Sequence, residues 1–539
     1  MSTFFGLETA KRALAAQQNA LYTVGQNVAN ANTEGYTRQR VNLTATDPYP
    51  AASMNRPAIA GQIGTGVEAG EIQRIRDKYL DVQYRENNSK LGYWTAKSDA
   101  LSKMESVMDE TDSDSSLSNT MEAFWESLQD LSTNPEDVSA RSVVLERGKT
   151  LTDTFHYLSE TLSQDKKDVG SEISVSVNDI NSILEQISDL NKQIAALEPN
   201  GYLPNDLYDK RDILVDKLSS YLNITVETEK SGGNAKANAD GIYNIKMTAA
   251  DGTSVYLVQG SSYNSVEVQN GVDSDGDNII DSPPASGEMV GITVGGIQFA
   301  VSDANGNVTF PQGKLLGLIE SYGYQYTDAN GNTVEAGTYP EMLDSLDKLA
   351  YTFGTVFNAV HEKGTDLEGN AGTAFFTFGS LTDYKGAADA ISVNSSLTYS
   401  KIAASANGDP GDGSNAINLA SVEDFDLSSN AVSLEGFSSM LNIASLGLPF
   451  TTGTINSNYE GIIGKLGVDA ERANNLEANS SSLLESVETN RQSVSSVSLD
   501  EELTNMIKYQ QAYNAAARMI TMNDELLDKI ISGMGVVGR

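Results

Sequence analysis

The chain has 539 residues, too many for a single hydrophobic core, so several domains are expected. Its 73 acidic against 36 basic residues give a formal charge of −37, a field that repels nucleic acid and anionic membrane alike. It has no cysteine and only two histidines, His156 and His361. Disulfides, thiol catalysis and Cys-ligated zinc are thereby removed, and little is left for a Ser-His-Asp triad or a histidine-bound metal.

The first residues carry neither a basic segment nor a continuous apolar run, so no cleavable secretory signal is read there. No stretch approaches bilayer-spanning length. From Leu7 the apolar residues Leu7, Leu14, Leu21 and Val28 recur every seven positions, the period of a coiled-coil seam. The helix is expected to stop in the tract Asn30–Gly35, where Asn and Gly tolerate left-handed backbone angles. Residues 36–92 carry Pro48, Pro50, Pro57 and "GQIGTGVEAGEIQRI", which reads as extended or β.

Helical periodicity returns at 94–108 and 117–131, and Asn134-Pro135 reads as the N-cap and first position of a long helix to residue 197. At ~1.5 Å per residue it would run roughly 90 Å unless Gly148 or Gly170 breaks it. A shorter helix is expected over 205–222. From 224 to about 332 the runs "GIYNIKM", "SVYLVQG" and "GITVGGIQFAV" read as strands bounded by Gly, Asn and Asp. Helix resumes at 339–363, a Ser/Gly/Asn-rich stretch follows at 379–458, and helix returns to 531 with a joint near "SSVSLD". The last run carries Leu499, Leu503, Met506, Tyr513, Ile520, Leu527, Ile531 and Met534 in steps of three, four or seven, behind a capping box Ser498/Glu501.

These readings give a multidomain α+β chain. Residues 1–35 plus 499–539 form a terminal coiled-coil domain, and 36–92 an extended or β segment. Residues 93–222, 337–378 and 459–498 form a helical bundle; 223–336 is a β-rich inserted domain and 379–458 a small irregular insertion.

The stretch "NVANANTEGYTRQRV" resembles the N-terminal signature of the bacterial flagellar rod, hook and hook-associated proteins, through Asn27, Ala29, Asn30, Asn32, Thr33, Gly35 and Tyr36. "GTGVEAGEIQRIRDKYLDVQYR" at 64–85 resembles their second segment, through Gly64, Gly66, Val67, Arg74, Asp77, Leu80 and Gln83. "NDLYDKRDILVDKLS" at 205–219, "FNAVHEKGTDLEGNAGTAFF" at 357–376 and the terminal helix with "YQQAY" at 509–513 are similar to the hook-associated protein 1 family of hook–filament junction proteins.

The resemblance implies a non-enzymatic structural subunit, outside the cell in the flagellum. It implies pairing of the two terminal helices and self-assembly into a tubular zone, with hook protein on one side and a second junction protein, then flagellin, on the other. It further implies export through the flagellar type III apparatus without cleavage, with a chaperone on the C-terminal helix. Nucleic acid and membrane are not expected partners. An isolated subunit is expected to leave both terminal helices largely unordered until assembly buries them. The alternatives are a flagellar hook protein, which should be largely β outside its ends, and a secreted calcium-binding adhesin.

Other constellations are weaker. "DSDGDNIID" sets Asp273, Asp275, Asp277 and Asp281 at alternate positions suited to calcium, but its glycine is misplaced, Pro284 stands where a bidentate Glu is needed, and an acidic turn is the plainer reading. No resident cofactor is expected. "GQIGTGVEAG" has the wrong glycine spacing for a dinucleotide loop. "RIRDK" at 74–78 reads as a solvated face, and His361 as a helix C-terminal cap.

Overall fold

The computed structural model describes residues 4–50, 53–54, 56–57, 61–108, 116–269, 289 and 291–533. The acidic loop 273–281 and Met534 lie outside them. Helix α1 (Phe4–Ala29) leads into a two-stranded antiparallel ribbon, β1 (Gln39–Ala45) and β2 (Val67–Arg74). The chain then enters α2 (Lys78–Val107), α3 (Leu117–Thr133), α4 (Val138–Leu197) and α5 (Asn205–Tyr221). The extended stretch therefore ends at residue 77 rather than 92. The buried face of α2 at its start is polar, built from Asp81, Arg85 and Ser89, so no apolar period announces it.

Helix α4 runs unbroken for 60 residues. Its two internal glycines mark close packing: a Cβ on Gly148 would lie 2.9 Å from Phe375, and one on Gly170 would lie 2.8 Å from Tyr322. Its start differs from the expected one. Asn134 caps the end of α3, and Asp137 is the N-cap of α4, accepting from Ser139 N at 2.8 Å.

The insert packs along α4 as two antiparallel sheets. One holds β3 (Ile224–Glu229), β4 (Ile242–Thr248), β5 (Ser254–Gln259) and β6 (Ser262–Tyr263) in order. The other holds β7 (Val266–Gln269), β8 (Gly291–Val294) and β9 (Ile297–Ala300). Polar rungs on α4 dock the strand edges: Asn181 donates to Val266 O, Ser188 to Ser261 O, and Asn191 to Tyr243 O and Gly260 O. The expected β domain is not β throughout. Helix α6 (Lys314–Tyr322) lies within it, with Leu315, Leu316, Leu318 and Ile319 buried, and is followed by the hairpin β10 (Tyr324–Thr327) and β11 (Thr333–Ala336).

Helix α7 (Thr338–His361) carries Phe353 and Phe357 into an aromatic core with Phe124, Trp125, Phe375 and Phe376. The stretch 379–458 is irregular, with only short elements such as α8 (Ala387–Ala390) and α9 (Ser414–Ala420), yet it is no detachable appendage. Ile391, Ile402, Ala416, Leu419 and Val422 are fully buried in the same core. The Arg141 guanidinium binds the carbonyls of Tyr399 and Ile402. Its buried residues, such as Ile391, Ile402, Leu419 and Val422, are scattered among Ser, Gly and Asn without helical or strand spacing, so no periodicity announces them.

Helices α10 (Ile455–Ser495) and α11 (Leu499–Gly533) end the described chain, broken at residues 496–498 as expected. Helix α10 packs along α2, whereas α11 packs on α1. The terminal helices thus find each other within one chain, and with the ribbon they form an arm.

Candidate functional site

The signature at the end of α1 builds the root of this arm. Asn27 is buried and makes four hydrogen bonds: its amide donates to Gln39 O at 2.8 Å and to Glu502 Oε2 at 3.0 Å, while its oxygen accepts from Gln39 N and from the Tyr36 hydroxyl, each at 3.0 Å. Gly35 has φ +72°, and a Cβ there would lie 2.3 Å from Ile213 on α5, so only glycine fits both the backbone and the gap.

Three segments cross between arm and body, and they cross side by side. Arg38 N donates to Ser495 O at 2.9 Å, and Arg38 O accepts from Ile75 N at 2.8 Å. The crossing is wrapped in ion pairs. Arg38 Nε bonds Glu502 at 2.8 Å and Nη1 bonds Glu501 at 2.6 Å. Arg74 bonds Asp209 at 2.7 Å, Asp212 at 2.9 Å and Asp240. Arg76 reaches Asp81 at 2.6 Å and Asp212 at 3.0 Å. Arg85 pairs with Asp216 at 2.8 Å, and Arg491 with Asp216 and Glu488.

Burial alone would raise the Asp212 carboxyl, but Arg76, Arg74 and Arg85 together hold it well below the usual range. At Asp209 burial wins over Arg74, and the carboxyl is raised. Burial alone would lower the Arg38 guanidinium, but the hydrogen bonds it donates to the Glu501 and Glu502 carboxylates outweigh that, so the net shift is upward. "RIRDK" is therefore not a solvated face. Arg74 and Arg76 are buried cations, each shared among several carboxylates. Of the capping box only half forms: Ser498 Oγ accepts from Glu501 N at 3.5 Å, while the Glu501 carboxylate goes to Arg38.

On the arm, Leu7, Leu14, Leu21 and Val28 are half-buried, as are Met506, Tyr513, Ile520 and Leu527. The deepest positions are smaller: Ala10, Ala16, Ala20 and Val24 on α1, and Ala516 on α11. Leu499, Leu503 and Ile531 face solvent in the single chain.

His361 is wholly buried. Its Nδ1 faces Thr373 O at 2.6 Å, and its Nε2 accepts from Ala403 N at 3.0 Å, so it ties three segments together as a neutral ring. It is a core crosslink rather than a cationic cap, because burial pushes its pKa down to about 4. His156 Nε2 lies 2.6 Å from Ile391 O. Among the described residues no group of three or more His, Asp or Glu side chains is placed to hold a metal ion. No described helix is long and apolar enough to cross a membrane.

Known proteins are similar to this chain in sequence and in fold. A family model described as the flagellar hook-associated protein FlgK helical domain matches residues 101–376. Models of the flagella basal body rod protein and of the flagellar basal body rod FlgEFG protein C-terminal match 7–37 and 489–533. The chain is 45% identical over 544 residues to flagellar hook-associated protein 1 of Bacillus subtilis, covering the whole of both chains. The chain belongs to the flagellar hook-associated protein 1 family.

A family member from Escherichia coli is 26% identical over 98% of this chain and 99% of its own. One from Salmonella typhimurium is 32% identical over 70% of this chain and 60% of its own. In fold, the chain is similar to a structure titled as the flagellar hook junction protein FlgK from Burkholderia pseudomallei, with a TM-score of 0.53, 15% identity, and coverage of 78% of this chain and all of that one.

Within this family framework the signature residues Asn27, Gly35 and Tyr36 sit at the arm's root, and so do Arg74 and the 205–219 helix. Sequence reasoning missed Arg38, Arg76, Asp209, Asp212, Asp216 and Arg491 as a group. For all of them but Arg491, the one available signal was the density of paired charges inside the very segments that carry the resemblance.

Proposed function

We propose that the chain is a non-enzymatic structural subunit that forms the junction between flagellar hook and filament and is needed for filament assembly. Family membership supports this reading, and it displaces the hook-protein and adhesin alternatives. The observation that carries it is the outer face of α11. There Leu503, Ile507, Met519, Met522, Leu526 and Ile530 are between 44% and 61% exposed, although α11 already has α1 as its partner. A long helix with large apolar residues exposed at both ends, outside its contact with α1, is costly to leave in water and is suited to cover by further helices.

The same reading includes the finer parts that family resemblance implies. These are burial of the seam from Leu7 to Ile531 in a tube of copies, hook protein and a second junction protein as neighbours, and type III export with a chaperone on α11. The absence of cysteine suits export of an unfolded chain.

The test is Leu503→Asp with Leu526→Asp. Both residues are exposed in the single chain, so melting of the body should be unchanged. Unpaired carboxylates in a covered stripe cost several kcal/mol. Secretion of the subunit should persist, filaments should be absent, and flagellin should collect in the medium. Normal filaments on the double variant overturn the reading.

A further inference from the structure

The inserted β domain has no role in the reading so far, and one of its loops is far longer than its hairpin needs. Strands β3 and β4 pair from Ile224↔Met247 to Glu229↔Ile242, so the connection is residues 230–241. Hairpins of this kind close with about two to five residues, whereas about a dozen are present here. The surplus is spent in reaching away from its own sheet.

The loop is rooted on the end of α4. Asn234 N donates to Pro199 O at 3.0 Å, and Gly241 N donates to Glu198 Oε1 at 3.0 Å. The Ser231 hydroxyl donates to the other oxygen of Glu198, a fully buried carboxylate that also accepts from Tyr208. From that root it crosses to the arm. Lys236 Nζ donates to Gly70 O of ribbon strand β2 at 2.8 Å. Asp240 pairs with Arg74, the last residue of β2, and lies 3.4 Å from Lys78 at the start of α2. Beneath the loop is a cavity of about 250 Å³, lined by Asn238, Gln73, Arg76, Asn205 and Tyr208. The loop therefore touches the arm at polar points and not through a packed apolar face.

The root is itself rigid, since Asn181, Ser188 and Asn191 hold the insert to α4 over several helical turns. A path thus runs from α4 through the insert and the loop to the ribbon: Asp240 joins the ion pairs of the crossing at Arg74, while Lys236 reaches Gly70, four residues further along the ribbon. We propose that loop 230–241 is a strap by which the inserted β domain braces the arm against the body, with Lys236 and Asp240 as the positioning residues that set how far the arm leans. The junction reading supplies the arm's purpose; the brace concerns the single chain and is tested there.

The chain has no cysteine, so labels can be placed uniquely. Glu68→Cys on the ribbon and Gln193→Cys on α4 are both exposed, and carry spin labels for a distance distribution in the full chain. The expected result is one narrow distribution for the parent. In Lys236→Met with Asp240→Asn it should broaden and shift, with melting of the body unchanged. Asp240→Glu with Lys236 intact should restore the narrow form. If the double variant lowers melting, Lys236→Met alone is read in the same way, because it keeps the loop's length and roots. Identical distributions in parent and variant overturn the brace. Failure of the junction reading shows separately, as normal filaments on the α11 stripe variant.

Discussion

Arg38 and Glu502 stand 464 residues apart in the chain and meet at 2.8 Å, with the Glu502 side chain only 2% exposed. The contact closes the arm at its root, where the first and last helices enter the body. Glu502 also accepts from Asn27 on α1, so one carboxylate is shared by both ends of the chain.

Arg38→Met leaves that buried carboxylate without its cation. Breaking a fully buried pair costs about 3–5 kcal/mol, and some residual exposure of Arg38 brings the expectation to about 2–3 kcal/mol. The loss should be local. Hydrogen exchange should rise over Phe4–Ala29 and Leu499–Gly533 while α2 to α7 stay protected. Arg12→Met is the control: its pair with Glu8 lies on the surface, so it should change stability by no more than ~0.5 kcal/mol. Equal effects from the two substitutions would remove the root contact from the account.

His361 predicts a dependence on pH. Burial holds its folded-state value down at about 4, with Arg141 pushing the same way and the Thr373 carbonyl and Asp366 opposing. The unfolded value is about 6.5, so the unfolded chain binds the extra proton. The stabilisation is complete above that value and is lost as pH falls from there towards 4, by roughly 3 kcal/mol in all. Asp212, depressed below the usual carboxylate range, loses its contribution only at more acid pH. Melting temperature should therefore fall between pH 6.5 and 4 in the parent chain. In His361→Gln it should begin lower but stay flatter across that window, and parallel curves would refute the assignment.

Two glycine substitutions should act in opposite directions. Gly464 lies in exposed α10 with nothing within 4 Å of a built Cβ, so Gly464→Ala should raise stability by up to about 1 kcal/mol. Gly148→Ala makes the same helix-propensity gain, but its methyl would press on Phe375 at 2.9 Å within the aromatic core. It should lower the melting temperature despite the better helix former. Denaturant midpoints of the two variants decide both claims.

What could be read from the sequence follows from how each part is stabilised. Helices α1, α4 and α11 present apolar positions at helical spacing, and the strands β4, β5, β8 and β9 are β-branched runs, so pattern and structure agree. The start of α2 buries Asp81, Arg85 and Ser89, and apolar periodicity is silent about such a face. Helix α6 is short and apolar on nearly every side, which a strand can equally be. The ion-pair crossing was illegible for a different reason. Arg74 meets Asp209 across 135 residues and Arg491 meets Asp216 across 275, and no local rule pairs a cation with one carboxylate among 73 acids. The aspartates at 273, 275, 277 and 281 lie outside the described residues, so the calcium reading stays an expectation for that loop.

The side-by-side crossing at Arg38, Ile75 and Ser495 also dictates an order of events. Joining the ends of a loose chain several hundred residues long costs about 5 kcal/mol in closure entropy. A body folded beforehand would already hold the three segments abreast, so the terminal helices would meet across a few ångströms instead of across a coil. A chain that emerges first end foremost leaves α1 waiting for a mate that is almost the last thing to arrive. The arm is accordingly expected to be the final piece to shut, on a body that has already folded.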